Sequence, residues 1–353
     1  MFNMIKKNTL GLDLGQRSIK GVLLHKRKKR VFLDNAFIFD YAESNPNFPN
    51  NADTALGLKA LSEIHGLNKY DVIFNIGNYN INSFDLKLPA MPKKDLSAII
   101  RNEVAKHINY AIEKCSFDYT ASLDESSKEK MYNIKVFTTK LSKVNANTAL
   151  LYSANLKPYI LDADIEAIAR MLSFNGYLKE GHCHILVDMG ETHTTVALLL
   201  GKQVISLTVI KQSMGLISHN LIKSLSINYG EAESFKKDLS SKDNNPFRTS
   251  SPIGHQMAKE DFDEILSKIQ ENIDYLSEFH FKKWPVEAFF FTGGGSKGQG
   301  LCELFEEHYK IKCLVPNPFK NIELAEDSDN KNFIFNNINS MATSVGLALR
   351  GVT

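Results

Sequence analysis

The chain has 353 residues, of which 43% are hydrophobic and 23% are charged, the balance of a folded protein long enough for two lobes. Its 42 basic and 40 acidic residues leave a net charge of +2, which argues against general attraction to nucleic acid or to an anionic membrane. The four cysteines form no C-x-x-C pair and have no histidine cluster beside them. This argues against structural zinc and a disulfide framework, and it agrees with a reducing cytosol.

The N-terminal segment has no sign of a secretory signal, because Asp13 interrupts it before an apolar stretch of the required length forms. No run approaches the roughly 18–20 apolar residues that span a bilayer. We therefore expect a cytoplasmic protein that meets a membrane only through a partner.

The first part of the chain predicts an α/β lobe, because short apolar strands alternate with helical periodicity. The basic turn at 25–30 is interpreted as a solvated hairpin tip rather than as a nucleic-acid or lipid patch. The predicted elements are strands at 9–14, 20–25, 30–39 and 72–76 and a helix at 52–65.

An inserted α/β block with its own small sheet follows, and it includes a long amphipathic helix that begins after Pro92. The apolar face of that helix, which we expect to be core, consists of Leu96, Ile99, Ile100, Val104 and Ile108. The predicted elements are a strand at 82–88, the helix at 95–108, strands at 116–123 and 131–139 with a polar loop at 124–130, and a helix at 141–155.

The second half repeats the pattern of the first. Gly176 and Gly181 bracket a loop that we interpret as the lobe boundary, and three strands follow it, as three strands open the chain. The first strand of each set ends in an aspartate, Asp13 or Asp188, followed two residues later by glycine. Such duplication is one way to build a cleft with two similar walls. The predicted elements are strands at 157–162, 182–188, 194–200, 203–211, 286–291 and 311–315, helices at 164–174, 216–228, 231–239, 259–281 and 339–349, and polar loops at 240–254 and 323–331.

The first aspartate–glycine motif has the sequence Leu10-Gly-Leu-Asp-Leu-Gly-Gln-Arg-Ser-Ile-Lys20. Gly15 permits a tight turn whose consecutive backbone N–H groups can converge on phosphate oxygens. Asp13 is suited to hydrated Mg²⁺, which keeps waters and takes few carboxylates. Lys20 can meet a phosphate as a point charge. A plain β-hairpin with an exposed turn is the alternative interpretation of this pattern.

The second motif, Ile185-Leu-Val-Asp-Met-Gly-Glu-Thr-His-Thr-Thr195, has the same order of strand, aspartate, glycine turn and strand. Asp188 is a candidate either for holding Mg²⁺ through water or for orienting an attacking water. His193 is interpreted as a turn residue rather than as a metal ligand. The predicted phosphate-binding residues are Gly15, Gln16, Arg17, Ser18, Lys20, Gly190, Glu191, Thr192 and Thr194, and the predicted metal-binding residues are Asp13 and Asp188.

The third motif, Thr292-Gly-Gly-Gly-Ser296, follows an apolar strand and lets the backbone approach a flat base or sugar, although such glycine turns also occur without a ligand. In this order, the three motifs resemble the phosphate-1, phosphate-2 and adenosine motifs of the actin, heat-shock-70 and sugar-kinase superfamily. The resemblance implies that ATP and Mg²⁺ bind between two lobes.

Further segments resemble helices of that superfamily. Residues 164–169 resemble its first connecting helix, which implies that Glu166 activates water and is catalytic together with Asp188. Residues 230–236 resemble its adenosine-side helix, and residues 344–349 its second connecting helix. The implied adenosine-binding residues are Glu233, Lys236, Gly293, Gly294, Gly295 and Ser296.

The inserted block indicates the branch of the superfamily. Residues 86–96, 101–108 and 115–119 closely resemble the PilM family of type IV pilus assembly proteins, in which this segment is subdomain 1C, as in the cell-division protein FtsA. The resemblance covers nearly the whole chain. It implies an α/β, bilobal actin-like ATPase fold of the duplicated ribonuclease H-like type with an inserted 1C subdomain.

The same resemblance implies a cytoplasmic ATP-binding scaffold, peripheral to the inner membrane through its partner and at most a slow Mg-dependent ATPase. The implied partner is the N-terminal cytoplasmic tail of a PilN-type inner-membrane protein, bound in a groove between subdomains 1A and 1C. Other pilus platform proteins are implied as further partners, nucleic acid is not, and membrane contact is indirect. The implied subdomains are 1A at 1–85 with 154–178 and 336–353, 1C at 86–153, 2A at 179–215 with 286–335, and 2B at 216–285.

Two departures from the family pattern concern the site and the groove. Gln16 and Arg17 stand where small hydroxyl residues are common, so that Arg17 either adds a phosphate contact or crowds the turn. Residues 109–111 replace a proline-aromatic-proline sequence, which leaves the shape of the groove open.

Two other functions share the fold. The first is an FtsA-like filament or membrane tether, which the inserted block permits, but the chain ends after its final helix without an amphipathic membrane helix. The second is a sugar-kinase-like enzyme, for which we find no clear sugar-binding segment between Val22 and Ser83.

Overall fold

The structure is a computed structural model, which describes residues 8–41, 51–124, 130–239, 251–278, 284–298, 300–324, 334 and 336–353. These residues form sheets of six, five and three strands with helices packed on them. In chain order the strands and helices are β1 (Asn8–Leu14), β2 (Ser18–Arg27), β3 (Arg30–Asp40), α1 (Asn51–His65), β4 (Asp71–Ile76), β5 (Asn82–Pro89), α2 (Lys93–His107), β6 (Cys115–Asp124), β7 (Met131–Lys140), α3 (Leu141–Ser153), β8 (Lys157–Ala163), α4 (Asp164–Phe174), β9 (Cys183–Met189), β10 (Thr194–Leu200), β11 (Gln203–Ile210), α5 (Met214–Leu225), α6 (Tyr229–Asp238), α7 (Pro252–Leu276), β12 (Val286–Thr292), α8 (Leu301–Tyr309), β13 (Lys312–Leu314), β14 (Glu323–Leu324) and α9 (Ala342–Val352).

The first lobe is built on the six-stranded sheet, in the order β14-β3-β2-β1-β4-β8. β1, β2 and β3 pair antiparallel through short turns, and β4 and β8 extend the sheet as parallel strands. Side chains alternate across β2, so that Val22 and Leu24 face the second lobe, whereas Ile19 and Leu23 pack with Leu58 of α1. Both faces of the sheet are therefore covered, which explains why these strands are almost continuously apolar.

The inserted block is an antiparallel three-stranded sheet in the order β5-β7-β6, covered by α2. Of the five residues predicted on the apolar face of α2, three are buried against β7 and two are half-buried. The sheet begins at Asn82, where the sequence predicts the first strand of the block, and the whole of β5 pairs with β7. α3 follows β7 directly and leads back into the first lobe at β8.

The second lobe has the same topology in a five-stranded sheet, in the order β11-β10-β9-β12-β13. β9, β10 and β11 pair antiparallel and β12 and β13 run parallel to β9, as β1, β2, β3, β4 and β8 do in the first lobe. Phe289, Phe291 and Ile265 are fully buried where the outer face of this sheet packs on helices. The shared topology confirms the internal duplication that the sequence predicts.

α7 begins at Pro252, seven residues before the predicted start of this helix. The Ser251 hydroxyl caps it by accepting a hydrogen bond from the Gly254 N–H at 3.2 Å, and proline suits the first helical turn. The predicted polar loop at 240–254 is therefore wrong for its last three residues, and residues 240–250 lie outside the described part of the chain. None of the described helices combines the length and apolar composition needed to cross a membrane.

β14 also differs from the prediction, which assigned residues 323–331 to a polar loop of the second lobe. Residues 323–324 instead pair parallel with β3 of the first lobe. Phe319 and Ile322, just before them, are buried in the core between the lobes, which holds the segment there. Residues 325–331 of this predicted loop, and 125–129 of the one in the inserted block, lie outside the described residues.

α4 and α9 pack against each other between the two large sheets. Ile168 of α4 and Val345 of α9 are fully buried in one apolar core that includes residues of both lobes. A Cβ at Gly346 would collide with the backbone carbonyl of Ala167, so glycine allows the two helices to approach closely. This core holds the lobes together and leaves the turns after β1 and β9 on either side of a cleft.

Candidate functional site

A polar cleft of about 670 Å³ lies between the two lobes. Among the described residues, its charged lining consists of the carboxylates of Asp13, Asp40, Asp164, Asp188, Glu191 and Glu233 and the cations of Arg17, Lys20, Lys143, Lys236 and Lys297. Six negative and five positive groups leave a surplus of one negative charge when all are ionised. A polyanion would therefore enter this cleft more readily together with a cation.

The turns after β1 and β9 have the same backbone geometry. The Gly15 N–H donates to the Ser18 carbonyl, and the Gly190 N–H donates to the His193 carbonyl, at 3.1 Å in both turns. A Cβ on either glycine would lie 2.8 Å from that same carbonyl oxygen, so a larger residue would displace the turn. The two turns therefore present their intervening residues to the cleft in a matching way.

Three carboxyl groups, those of Asp13, Asp164 and Asp188, line the cleft between the turns. The Asn75 side-chain amide joins two of them, because it donates to Asp13 at 2.9 Å and to Asp164 at 2.7 Å. Its carbonyl oxygen accepts a hydrogen bond from the Leu14 N–H at 2.7 Å. Asn75 thus orients two acidic side chains and the start of the first turn.

Burial and mutual repulsion change the protonation of these carboxyl groups. Burial raises the pKa of Asp188 to about 6 and the charge of Asp13 adds to the rise, while the Thr292 hydroxyl, 2.9 Å away, and Lys20 oppose it. Burial, followed by the charge of Asp13, raises the pKa of Asp164 well above its usual range. Carboxyl groups in this condition are stabilised as anions by an added cation.

The arrangement of these acids suits one kind of metal. Within the described residues, no three His, Cys, Asp or Glu side chains lie close enough together to hold a metal ion by themselves. Mg²⁺ does not require such a cage, because it usually keeps several waters and takes one or two carboxylates together with phosphate oxygens. Asp13 and Asp188, one from each lobe, match that donor set.

An ionic cluster connects the first lobe to α6 across the cleft. Arg17 donates from Nε at 3.2 Å and from Nη2 at 3.1 Å to Asp40, and its Nη1 pairs with Glu233. Lys236 lies 2.7 Å from Glu233 and 3.2 Å from Glu191. Burial lowers the pKa of Lys236, and Glu191 opposes that shift. Four residues predicted to meet a nucleotide therefore lie on the cleft and bind one another.

The structure places Asp164, and not Glu166, in the cleft. Glu166 is not among the lining residues, and burial followed by the charge of Asp162 raises its pKa, while Arg170 and Arg350 oppose the rise. Positions 164 and 166 are about 200° apart around a helix, so the two side chains point in nearly opposite directions. The acid that α4 directs at the two turns is Asp164.

Three other predicted site residues lie beneath the surface of the cleft. Thr194 is fully buried and its hydroxyl donates to the Gln212 carbonyl at 2.8 Å, whereas Thr195, on the other face of β10, lines the cleft. Gly295 and Ser296 are buried behind the first two glycines of their motif. Strand alternation and the short helical turn of the glycine motif, respectively, explain these positions.

The third glycine motif packs directly on the second aspartate. Gly293 has a φ of +83°, and its N–H donates to the Asn339 carbonyl at 3.2 Å. A Cβ on Gly293 would lie 2.9 Å from the Asp188 carboxylate, so only glycine allows this approach. Gly293 and Gly294 therefore form the cleft wall beside Asp188.

Several lining residues were not predicted from the sequence. Tyr79 stacks on His193 from the other lobe, with ring centroids 4.4 Å apart. Lys143 and Asn147 bring α3 into the lining, and the Asn147 side-chain amide donates to the backbone carbonyl of Asn75 at 3.3 Å. Of the cleft residues that the sequence analysis missed, only Asn75 could have been recognised, since it is a polar residue inside the apolar run 72–76.

Comparison with known proteins gives consistent results. A family model described as type IV pilus assembly protein PilM matches residues 11–352. The structure of a PilM-PilN type IV pilus biogenesis complex is similar over 98% of both chains, with a TM-score of 0.81 and 20% sequence identity. The ethanolamine utilization protein EutJ from Carboxydothermus hydrogenoformans is similar over 98% of this chain and 90% of that chain, with a TM-score of 0.53 and 15% identity. No curated protein matches the chain.

These similarities agree with the topology and the cleft described above. The duplicated lobes and the inserted block constitute the bilobal α/β actin-like ATPase fold that the sequence predicts. The family match leaves out only the first ten residues and the last one. The chain therefore belongs to the PilM family of type IV pilus assembly proteins.

Proposed function

We propose that this protein is an ATP-binding scaffold of type IV pilus assembly, held at the cytoplasmic face of the inner membrane by the N-terminal tail of a PilN-type protein. The observation that carries the nucleotide part is the pair of matching glycine turns, which face each other with Asp13, Asp164, Asp188 and Lys20 between them. Family membership carries the pilus part.

In this proposal the turns bind the phosphates of ATP and the acidic side chains bind its Mg²⁺. Backbone N–H groups of residues 16–18 and 191–193 and the Lys20 ammonium would meet phosphate oxygens. Asp13 and Asp188 would hold hydrated Mg²⁺ between the lobes. When bound, Mg²⁺ supplies the positive charge that offsets the surplus of carboxylates in the cleft. Gly293 and Gly294 offer an open backbone wall for the nucleoside.

Hydrolysis, if coupled to this site, depends on Asp164. Its carboxyl group lines the cleft between both turns and is oriented by Asn75, a position that suits a group that accepts a proton from an attacking water. The reaction would be slow, because the two lobes must bring all these groups together before water is positioned.

The partner proposal rests on the inserted block. One of the similar structures is a PilM-PilN complex, which supports a PilN-type partner for this chain. We place the tail in the groove between the first lobe and the inserted block. α3, which connects that block to the first lobe, also lines the cleft, and the hydrogen bond from Asn147 to the backbone carbonyl of Asn75 joins it to the site acids. Nucleotide and tail would therefore influence each other, and other platform proteins would bind the assembled complex.

Calorimetry tests both parts with the purified chain. We expect ATP to bind in the presence of Mg²⁺ and to bind much more weakly with the metal chelated. A peptide with the N-terminal tail sequence of the PilN-type protein from the same organism should bind the ATP-loaded chain, and a scrambled peptide of equal composition should not. If folded, ATP-loaded protein does not bind the tail peptide, the partner proposal is wrong. If the protein does not bind ATP, the nucleotide proposal is wrong.

A further inference from the structure

We infer that Arg17 is a positioning residue that clasps the first lobe to α6, holds Glu233 in place and thereby sets how long a nucleotide stays in the cleft. The part that concerns nucleotide retention rests on the proposed function. We call the contacts of Arg17 with Asp40, Glu233 and Tyr229 the Arg17 clasp, and its existence rests only on contacts between side chains of this chain.

Each of the three guanidinium nitrogens of Arg17 has a carboxylate partner, and these partners come from both lobes. Nε and Nη2 bind Asp40 of β3 in the first lobe, and Nη1 pairs with Glu233 of α6 in the second. The guanidinium group of Arg17 lies over the Tyr229 ring, with its Cζ 5.6 Å from the ring centroid. Such a rigid fork suits two carboxylates at once, which a lysine ammonium cannot match.

Glu233 is held from several directions, which makes Arg17 part of a defined cluster. Its side chain is only 8% exposed, and its Oε1 accepts hydrogen bonds from the Ser218 hydroxyl at 2.5 Å and from Lys236 at 2.7 Å. The other carboxylate oxygen of Glu233, Oε2, pairs with Arg17 from the opposite lobe. A carboxylate bonded in this way is immobile, so Glu233 transmits the position of Arg17 to α6.

The rest of the cluster extends to the second turn. Lys236 contacts Glu191, and the Tyr229 hydroxyl donates to Glu191 at 3.3 Å. Both glycine turns and α6 therefore meet in a single network that starts at Arg17. Opening the lobes on this side requires separation of the Arg17–Glu233 pair.

A second contact joins the lobes at another part of the cleft lining. There Tyr79 stacks on His193, and the Asn78 amide donates to the Thr195 hydroxyl at 3.2 Å. These contacts are neutral, whereas the contacts of Arg17 with Asp40 and Glu233 are ionic and little exposed, so the Arg17 clasp is the stronger of the two. It is accordingly the contact expected to control exchange of a ligand bound between the turns.

The first measurement is the dissociation rate of a fluorescent ATP analogue with Mg²⁺, followed by stopped flow after excess ATP is added. Arg17→Gln should raise the rate about tenfold, equivalent to about 1.4 kcal/mol, and Arg17→Lys should lie between it and the unmodified chain. Arg170→Gln is the matched control. Arg170 has the same 24% side-chain exposure as Arg17 but pairs with Asp162 within the first lobe, so its substitution should leave the rate unchanged.

The second measurement does not need nucleotide. Small-angle X-ray scattering should give a larger radius of gyration for Arg17→Gln than for the unmodified chain and for Arg170→Gln. In a double-mutant cycle, Arg17→Gln combined with Glu233→Gln should release the analogue no faster than the more severe single variant, because both remove the same contact.

The outcomes separate the two proposals. A dissociation rate for Arg17→Gln within about twofold of the unmodified chain, with unchanged scattering, overturns the clasp. If the effects of Arg17→Gln and Glu233→Gln on the dissociation rate are additive, the proposed pairing of Arg17 with Glu233 is wrong. If the unmodified chain binds no nucleotide while Arg17→Gln still expands in scattering, the proposed nucleotide function fails and the clasp between the lobes stands without its role in retention.

Discussion

The turns after β1 and β9 share one backbone geometry but differ in their charge environment. At the first, Lys20 lies 3.1 Å from Asp13, and the Asn75 amide adds a hydrogen bond. At the second, Asp188 receives a bond from the neutral Thr292 hydroxyl, and burial raises its pKa to about 6. The first turn therefore carries its own counter-charge, whereas the second depends more on a cation that arrives with the ligand.

The largest expected effect comes from removing the acid of either turn. Asp13→Ala and Asp188→Ala should each weaken Mg²⁺-dependent ATP binding by at least about 100-fold, equivalent to about 2.7 kcal/mol, because each removes a carboxylate from the metal position. Calorimetry with and without Mg²⁺ measures this. The residual binding of Asp188→Ala should depend less on Mg²⁺ than that of the unmodified chain, because only Asp13 remains to hold the metal. Unchanged binding in both variants would show that the cleft is not the nucleotide site.

Substitution of the acid between the turns should affect turnover rather than binding. Asp164→Asn keeps the shape of the side chain but removes its ability to accept a proton, so any ATP hydrolysis should fall by roughly 100-fold while ATP affinity changes little. Glu166→Gln, two residues along the same helix and outside the cleft, is the control. A phosphate-release assay in which Glu166→Gln is the more impaired variant would reverse this assignment.

The counter-charge of the first turn can be tested directly. Lys20→Met leaves Asp13 without its ammonium partner and removes a phosphate contact, so ATP affinity should fall about 10- to 100-fold. Thr292→Val at the second turn removes only a neutral hydrogen bond, and about a threefold loss is expected. Equal losses in the two variants, measured by titration, would contradict the asymmetry between the turns.

The shared backbone geometry predicts equal sensitivity to a methyl group. Gly15→Ala and Gly190→Ala should each reduce stability by about 1–3 kcal/mol, because the added Cβ meets a carbonyl oxygen in both turns. Gly294→Ala is the control, since its Cβ would enter open space and the change should stay within about 0.5 kcal/mol. Chemical denaturation measures the stability of all three variants. Clearly unequal losses for Gly15→Ala and Gly190→Ala would contradict the equivalence of the two turns.

The strands that lead into the turns should differ in their response to pH. His184 stands four residues before Asp188, where β1 has Thr9 before Asp13, and burial lowers the pKa of His184 from 6.5 to about 4. Its Nε2 accepts from the Lys179 N–H at 3.4 Å, and its Nδ1 is buried with no hydrogen-bond partner among the described residues.

Because the folded pKa lies below the unfolded one, the unfolded chain takes up this proton first. The contribution of His184 is therefore complete above about pH 6.5 and is lost as the pH falls toward 4, by at most about 1.4 kcal/mol per pH unit. The urea midpoint of the unmodified chain should fall over this range more steeply than that of His184→Asn. Parallel curves for the two proteins would refute the assignment to His184.

Much of the fold could be predicted because its signals are local. α4 and β10 have the predicted bounds, since an amphipathic period and an apolar run are visible in the sequence alone. The paired turns were also predictable, because each lies within a few residues at the end of one strand. α7 was placed too late because its first turns are polar, although Ser251 and Pro252 are a capping signal.

The orientation of side chains in the cleft was less predictable. A likeness of α4 to a known helix pointed to Glu166, but helix phase decides which acid faces the turns, and that acid is Asp164. Thr194 and Thr195 are adjacent residues of the same type, yet strand alternation turns the first away from the cleft and the second toward it. A one-residue error in phase is enough to exchange such roles.

By itself, the sequence determined the duplicated α/β lobes, the two aspartate–glycine turns and the family, because these depend on residues that are close along the chain. Only the tertiary structure decided that Arg17 binds Asp40 and Glu233, that Asn75 joins two site acids, and that α3 lines the cleft. The physical reason is that most of these contacts join residues far apart in sequence, whose meeting depends on how the two lobes pack around a shared core.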